Sequence, residues 1–348
     1  MIAPFGDVVQ VNVRRVARLM VLSAVVTLAP SCTLAAIYRV GPGQTLKEPS
    51  QAARIVAPGD TVLIDPKPGG YYDCAVWTVD NLTIEGVGPD VLVTDMTCEG
   101  KAIFVTRGRH ITIRNLTFAR ARVRDWNGAG IRAEGADLRV EHVRFKDNES
   151  GILVADSPNS SVLIKDSLFV ANGVCERNRC GGSVEVGKIA KLDVVNSQII
   201  STNGGDDIRS SANQTNLIGD AITDSRRIST AYLVDLPDGG SLSMLNNTLG
   251  LVHLHQPPPA FVRIMQGVGA QSIKSLSFVD NTIRDGTGRS VTFVLNWSGA
   301  HVIMEHNHLS GGGTALSSSG YLWFLIKSWI HFCIDKFRLA TRHVRAHL

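Results

Sequence analysis

Carboxylate and guanidinium side chains recur in one part of this sequence at a spacing suited to acid–base chemistry. The segment Gly204–Ser211 lies between two further acidic positions, Glu185 and Asp235. Two carboxyl groups with different surroundings can serve as a general acid and a general base. If the protein is an enzyme, we predict that its catalytic residues come from the polar members of this region, which are Arg209, Asp206, Asp207, Asp235 and Glu185.

A second group of polar residues lies earlier in the chain, in two stretches that are one repeat apart: Asp125, Asn127, Arg132 and Glu134, then Asp147 and Glu149. Carboxylates brought together from neighbouring turns would suit a Ca²⁺ site or an acid–base pair. The alternative is a turn held by Asp and Asn side chains together with an ion pair between arginine and glutamate. The sequence does not identify which residues, if any, bind a metal ion. The candidate substrate-binding residues are Arg132, Glu134, Arg263, Asp125 and Asn127.

The elements that must position these side chains are short strands on a long repeat. Nine stretches share a pattern of two apolar residues that are two positions apart, and they recur at intervals of 23 to 34 residues. Alternation of period two on such a repeat predicts stacked coils, each contributing a strand to one sheet. The stretches begin at Leu82, Ile111, Leu138, Val162, Leu192, Thr215, Leu242, Leu276 and Val302.

A second family of strands is predicted between the first ones. If the outer residues of each apolar triplet point inward, the middle residues face solvent and stack about 4.8 Å apart. This predicts an outward stripe rich in charge, which would either bind a ligand or form a solvated face whose charges pair with one another. The stripe consists of Arg132, Leu153, Glu185, Arg209, Asp235, Arg263 and Thr292.

Pairs of polar residues end the strands of the first family, as in Asn246-Asn247 and Asp280-Asn281. Asparagine side chains in stacked turns can hydrogen-bond to the turns above and below. We interpret these pairs as structural, including His142 and His306, which occupy the same positions.

The two ends of the chain differ from its body. Residues 1–36 resemble an export signal, with three arginines before an apolar run and small residues at Thr33–Ala35. Residues 37–316 are predicted to form the solenoid, in which an amphipathic helix over Leu46–Asp60 would cap the open end of the first coil. Residues 317–348 form an apolar and basic tail that is too short for a comfortable membrane span and stays a cap, an interfacial anchor or an appendage.

The net charge and the cysteine pairs indicate which cellular compartment and which kinds of partner to expect. The chain carries a net charge of +4, but its two ends are basic and the remaining body sums to about −2, which gives no electrostatic footprint for nucleic acid. With export, two cysteine pairs, Cys74–Cys98 and Cys175–Cys180, are predicted as disulfides in preference to metal ligands. We predict a secreted or periplasmic protein without an integral membrane domain, and its oligomeric state stays open.

Several segments resemble the right-handed parallel β-helix, or pectin-lyase-like, superfamily, and in particular secreted bacterial β-helix proteins of largely unassigned function. The segments are Tyr72–Trp77, Cys98–Ile103, Asp125–Gly135, Asp147–Leu153 and Val234–Gly240. The resemblance implies an all-β right-handed solenoid that binds or processes an acidic polysaccharide, as a lyase or a glycoside hydrolase.

Three functions stay open under this resemblance. A lyase would use Arg209 as its base, helped by Ca²⁺ on Asp206, Asp207 or Asp235. A hydrolase would use two of the carboxylates, roughly 6.5–9.5 Å apart if it inverts configuration. The third is a non-catalytic envelope or exopolysaccharide-binding solenoid, or a structural surface solenoid without a small ligand.

Overall fold

Three parallel β-sheets wind around a common apolar core. The structure is a computed structural model that describes residues 35–89, 91–176, 179–224, 231–252, 257–266 and 271–318. The predicted export signal and nearly all of the predicted tail lie outside these residues. Each coil contributes strands to the three sheets in the same order, so that the chain forms a solenoid of parallel ladders.

The first sheet contains the predicted strand family, and its register confirms the repeat. Leu138 stands opposite Ile111 on one side and Val162 on the other, and the same register continues to Val302. Within the described chain this sheet has eleven strands: β1 (Ile37–Val40), β2 (Thr61–Ile64), β4 (Thr83–Gly86), β7 (Ile111–Arg114), β10 (Leu138–Glu141), β13 (Ser157–Lys165), β18 (Ile189–Val195), β21 (Gln214–Ile218), β24 (Ser241–Leu245), β27 (Leu276–Val279) and β30 (Val302–Glu305).

The second sheet was not predicted, because its strands are short and most contribute a single inward residue. Phe118, Phe145 and Phe169 are such residues, each fully buried. In the described residues its nine strands are β5 (Leu92–Thr94), β8 (Thr117–Ala119), β11 (Arg144–Lys146), β14 (Leu168–Val170), β19 (Gln198–Ile200), β22 (Ala221–Asp224), β25 (Thr248–Val252), β28 (Thr282–Gly286) and β31 (His308–Ser310).

The third sheet contains the second predicted strand family and carries the charged stripe. Among the residues described it has ten strands: β3 (Ala75–Trp77), β6 (Ala102–Thr106), β9 (Ala129–Ala133), β12 (Ser150–Val154), β17 (Val184–Val186), β20 (Ile208–Ser210), β23 (Val234–Leu236), β26 (Ala260–Ile264), β29 (Thr292–Asn296) and β32 (Leu316–Ser317).

A small antiparallel hairpin projects between the second and third sheets. It consists of β15 (Val174–Glu176) and β16 (Arg179–Gly181), and Cys175 stands opposite Cys180. Both predicted disulfides, Cys74–Cys98 and Cys175–Cys180, are present. Disulfides persist in oxidising compartments.

Inward side chains from all three sheets form one continuous core. Aromatic rings from successive coils stack within it, and the ring centroids of Phe145 and Phe169 are 4.6 Å apart. Stacked pairs of this kind contribute about 1 kcal/mol beyond the burial of their area. The register of the coils is therefore fixed by large side chains that repeat at equivalent positions.

The turns between the first and second sheets confirm the structural interpretation of the polar pairs. The first residue of each pair adopts a positive φ, as His142 does at 54° and His306 at 52°. The second residue points inward and forms a ladder, in which the amide of Asn247 donates to Asn281, which donates to Asn307. Each turn thus bonds to the next along the solenoid axis.

The predicted helix over residues 46–60 is present only as α1 (Pro49–Ala53). Pro49 occupies its first turn, and the helix stops before Ile55, Val56 and Pro58, which disfavour helical backbone. Ala52 is buried in the core, but the capping role of this helix stays a prediction. No helix in the described part of the chain has the length and apolarity needed to cross a membrane.

Candidate functional site

The charged stripe on the third sheet has the predicted register through six positions. Arg132, Leu153, Glu185, Arg209, Asp235 and Arg263 are successive partners on adjacent strands. The prediction that Thr292 is the seventh member of the stripe is wrong. Thr292 pairs with Ala260, and Leu295 stands opposite Arg263, because the apolar residues Val262 and Val294 define the register of β26 and β29.

Asp235 is the centre of an ion-pair network on this stripe. Its carboxylate accepts two hydrogen bonds from Arg263, both at 2.8 Å, and one from Arg209 at 3.0 Å. Although Asp235 is at an outward position, the two guanidinium groups cover it and leave it 0% exposed. The side chain of Arg209, by contrast, is 45% exposed. A ligand on this surface would therefore meet the guanidinium of Arg209 first.

Asp206 joins the network from the turn before β20. Its Oδ2 accepts a hydrogen bond of 3.2 Å from the same nitrogen of Arg209 that binds Asp235. Its Oδ1 is buried without a hydrogen-bond partner in the described structure. Burial, together with the nearby charge of Asp235, raises the pKa of Asp206 to about 7, although the charge of Arg209 opposes the shift. Asp206 is thus a carboxyl group that changes charge near neutral pH.

A glycine permits the close approach that brings this turn against the neighbouring coil. A Cβ atom on Gly182 would lie 2.0 Å from the backbone oxygen of Asp206. Only glycine fits at that distance. The amide of Gly182 also donates to the carboxylate of Glu185 at 2.7 Å. The backbone around Gly182 therefore positions two of the predicted residues at once.

Glu185 neighbours the network on the adjacent strand, opposite Arg209. Its carboxylate accepts hydrogen bonds from the amide of Gly182 and from the hydroxyl of Ser150, at 2.7 and 3.1 Å. Burial raises the pKa of Glu185, although these hydrogen bonds and the charge of Arg209 oppose the shift. Glu185 is held by the backbone of its own coil and has no direct contact with the arginine network among the contacts described.

Asp207 points away from the stripe, into the core. The hydroxyl of Thr202 donates to one of its oxygens, and the other is buried without a partner in the described structure. Burial raises the pKa of Asp207 well above its usual range, and the nearby carboxyl of Asp224 acts in the same direction. Asp206 and Asp207 are adjacent in sequence but face different surroundings, so the structure does not bring all five predicted catalytic residues together.

Tyr232 completes the network and was not predicted from the sequence. Its ring lies 4.2 Å from the guanidinium carbon of Arg263, which is the geometry of a cation–π contact. The ring is almost completely buried, and burial raises the pKa of its hydroxyl. A tyrosine in the segment before a strand carries no motif, so nothing in the sequence signals this role.

The earlier polar cluster is divided among separate structural contacts. Glu134 forms ion pairs with Lys101 at 2.6 Å and Arg107 at 3.1 Å, and Arg132 lies 3.8 Å from it. Glu149 is buried and accepts hydrogen bonds from backbone amides of the preceding coil, at residues 123 and 128. Asp147 pairs with Arg122, while Asp125 and Asn127 lie on the loop between β8 and β9.

These contacts do not fit a calcium ion. Within the described ranges no three side chains of His, Cys, Asp or Glu converge as ligands for a metal. On the stripe, Asp206 and Asp235 both bind Arg209, whose positive charge would repel a cation placed between them. Asp207 faces the other way. The alternative Ca²⁺ ligands named above, Asp206, Asp207 and Asp235, therefore do not combine into a single oxygen cage.

The three parallel sheets, wound in about nine coils, define a right-handed parallel β-helix. Residues 71–222 match the family model described as the right-handed β-helix region. The predicted superfamily resemblance is confirmed at the level of the fold. No curated protein sequence matches this chain significantly.

Solved structures with a similar arrangement share little sequence with this chain. YbhC of Escherichia coli is 10% identical over 86% of this chain and 88% of that chain, with a TM-score of 0.45. A pectin methylesterase from Aspergillus niger is 10% identical over 83% and 92%, with a TM-score of 0.44. The A-module of the mannuronan C-5 epimerase AlgE4 from Azotobacter vinelandii is 12% identical over 77% and 90%, with a TM-score of 0.40.

Proposed function

We propose that this protein binds an acidic polysaccharide on the outward face of its third sheet, outside the cytoplasm. The observation that carries the proposal is the network of Arg209, Asp235 and Arg263, in which one buried carboxylate holds two guanidinium groups in place. The three groups sum to one positive charge. Preorganised guanidinium groups are suited to carboxylates, because their donors form a rigid fork.

The surroundings of the network support a saccharide rather than a large polyanion. The body of the chain is slightly acidic overall, which disfavours nucleic acid. A charge confined to one narrow stripe suits an extended chain whose carboxylates recur at intervals. The two disulfides support a location in an oxidising compartment, either secreted or periplasmic.

Glycoside hydrolysis is the second candidate function, and the Asp206–Asp235 pair favours it. Each carboxylate contacts the same nitrogen of Arg209 at about 3 Å, so that their nearest oxygens are no more than about 6 Å apart. That separation is closer to the two carboxyl groups of a retaining glycosidase than to those of an inverting one. Asp206 would be the acid, since its pKa of about 7 keeps a proton available, and Asp235 would be the second carboxyl group of the pair.

The lyase form with Arg209 as base receives no support from the geometry. Arg209 is paired with two carboxylates, and both ion pairs require its protonated form. A base must instead accept a proton from the substrate. We therefore retain binding, with hydrolysis as the alternative.

Substitution of Arg209 tests the proposed site. Arg209→Gln is expected to weaken the binding of uronate oligosaccharides by roughly 10- to 100-fold, since a charge-assisted contact contributes about 1.5–3 kcal/mol. Isothermal titration calorimetry with a panel of uronate oligosaccharides measures the effect. Arg284→Gln is the matched control, because Arg284 is an exposed arginine on β28 of the second sheet.

Unchanged affinity of Arg209→Gln would contradict the binding site. A reducing-sugar assay and the ultraviolet absorbance of unsaturated uronates distinguish the alternatives on the same panel. Turnover that is lost in Asp206→Asn, while binding is retained, would establish hydrolysis. Tight binding by wild-type protein without any product supports the non-catalytic function.

A further inference from the structure

A cavity of about 600 Å³ lies on the outward face of the second sheet, away from the stripe. Its floor is apolar, with contributions from Ala119, Leu168 and Val170. Arg120 and Asp147 also line it, and two further basic side chains, Arg144 and Lys146, border it. The volume lies within the range of pockets that hold small ligands or short polymer segments. None of these residues belongs to the site discussed above.

The two basic residues are exposed and have no side-chain partner in the described structure. The neighbouring arginines, by contrast, are paired with carboxylates. Arg120 forms two hydrogen bonds with Asp95, at 2.8 and 2.7 Å, and Arg122 pairs with Asp147. The neighbouring charges therefore cancel in pairs. Arg144 and Lys146 leave two uncompensated positive charges beside the cavity, which is the charge complement of an anionic ligand.

The register of the second sheet explains why a trough forms there. Arg144 stands between Thr117 and Leu168 on the adjacent strands, and Lys146 stands between two small apolar residues, Ala119 and Val170. Short neighbours leave space on both sides of the long basic side chains. Residues that are two apart on a strand are about 6.6 Å apart. The two cations can therefore contact successive anionic groups of one extended ligand.

A second cavity extends the trough along the strand direction. It has a volume of about 360 Å³, shares Thr117 and Arg144 with the first, and is also lined by His142 and Asn115. The continuous depression thus begins at the turn before the second sheet and crosses the sheet. Such a shape favours an extended chain over a compact ligand.

We infer that this trough is a second binding surface for an acidic polysaccharide, in which Arg144 and Lys146 bind carboxylates on neighbouring sugars. The inference rests on the proposed function for the identity of the polymer, but it uses a different sheet. A protein with two such surfaces binds two chain segments at once. On a long polymer this arrangement would raise the avidity and cross-link chains.

Calorimetry with a short uronate oligosaccharide tests both surfaces in the same experiment. We expect two oligosaccharides per wild-type molecule, one for Arg144→Gln/Lys146→Gln, one for Arg209→Gln and none for the triple variant. Arg284→Gln serves as the control and should keep two. The substituted groups are exposed, and thermal unfolding curves establish that each variant is folded.

The outcomes separate the two proposals. If Arg144→Gln/Lys146→Gln keeps both binding events, the second surface is contradicted and the site on the third sheet stands. If that variant loses all binding while Arg209→Gln loses none, the second surface stands and the proposed site is contradicted. If the wild type binds no uronate, the second surface is contradicted. It is also contradicted if a neutral oligosaccharide or a DNA oligomer binds as tightly as the uronate and this binding is lost in Arg144→Gln/Lys146→Gln.

Discussion

Asp235→Ala is expected to lower the free energy of unfolding by about 3 kcal/mol and to abolish uronate binding on the third sheet. The reason is that Asp235 is buried, and its removal leaves Arg209 and Arg263 facing each other without a counter-charge. Breaking a buried ion pair by removing one partner typically costs about 3–5 kcal/mol, and the partial exposure of Arg209 reduces this. Denaturant unfolding measures the stability, and calorimetry well below the midpoint measures the binding.

A surface ion pair of the same chemical type provides the control. Glu85→Ala removes the partner of Arg114, whose side chain is 42% exposed, and should cost about 1 kcal/mol or less. Equal destabilisation by Asp235→Ala and Glu85→Ala would show that the network is not desolvated as described. Asp235→Ala protein that keeps the same number of bound uronate oligosaccharides as wild type would contradict the role of the network in positioning the arginines.

The second large effect is a loss of stability as the pH rises from about 4 to about 7. Burial raises the pKa of Asp206 and of Asp220 to about 7, and it also raises the pKa of Asp207 and Glu185. An acid whose pKa is higher in the folded state holds its proton more tightly there, so the stability is greatest while the group is protonated in both states. It declines as the pH passes from the unfolded to the folded pKa.

Asp220→Asn tests the contribution of one of these buried acids to the pH dependence of stability. Asp220 occupies the ladder position that Asn247 fills in the next coil, and the amide of Asp220 donates to Asn247. The amide groups of Asn247 and Asn281 donate to the carbonyls of Leu217 and Met244, at the end of the preceding strand. In this register Val194 is the equivalent carbonyl for position 220, so an asparagine there can donate to it.

We therefore expect Asp220→Asn to be more stable than wild type at pH 8, by about 2–4 kcal/mol, and to be similar at pH 4. Denaturant unfolding across this pH range measures how the free energy of unfolding of each protein depends on pH. Asp193→Asn, at a partly exposed position on β18 where the carboxylate pairs with Lys191, is the control for replacing an aspartate outside the ladder. Parallel pH profiles for wild type and Asp220→Asn would contradict the buried acid.

The repeat of the solenoid could be predicted from the sequence because it depends on local alternation. Each apolar triplet in the first sheet, from Leu82 to Val302, signals its strand by period two, and the polar pair after it signals the turn. The outward position of Arg209 and Asp235 followed from the same alternation. Only the triplet at Thr292 failed, because the three consecutive apolar residues that follow it, Phe293–Leu295, allow more than one register.

The second sheet and the chemistry of the site could not be predicted, because both depend on contacts between coils. A three-residue strand such as β11 contributes one inward side chain, Phe145, which leaves no period to detect. The sequence predicts that Asp235 faces solvent, but its two arginine neighbours bury it. Asp206 and Asp207 are adjacent in the sequence, but the carboxylate of Asp206 binds Arg209 and that of Asp207 binds Thr202 in the core.

A crystal structure of the protein with a bound uronate oligosaccharide is the decisive test of the site on the third sheet. We expect the saccharide to lie along this sheet, with a carboxylate bound by Arg209 above the buried Asp235. A saccharide bound elsewhere, with the guanidinium of Arg209 unoccupied at saturating ligand, would contradict it.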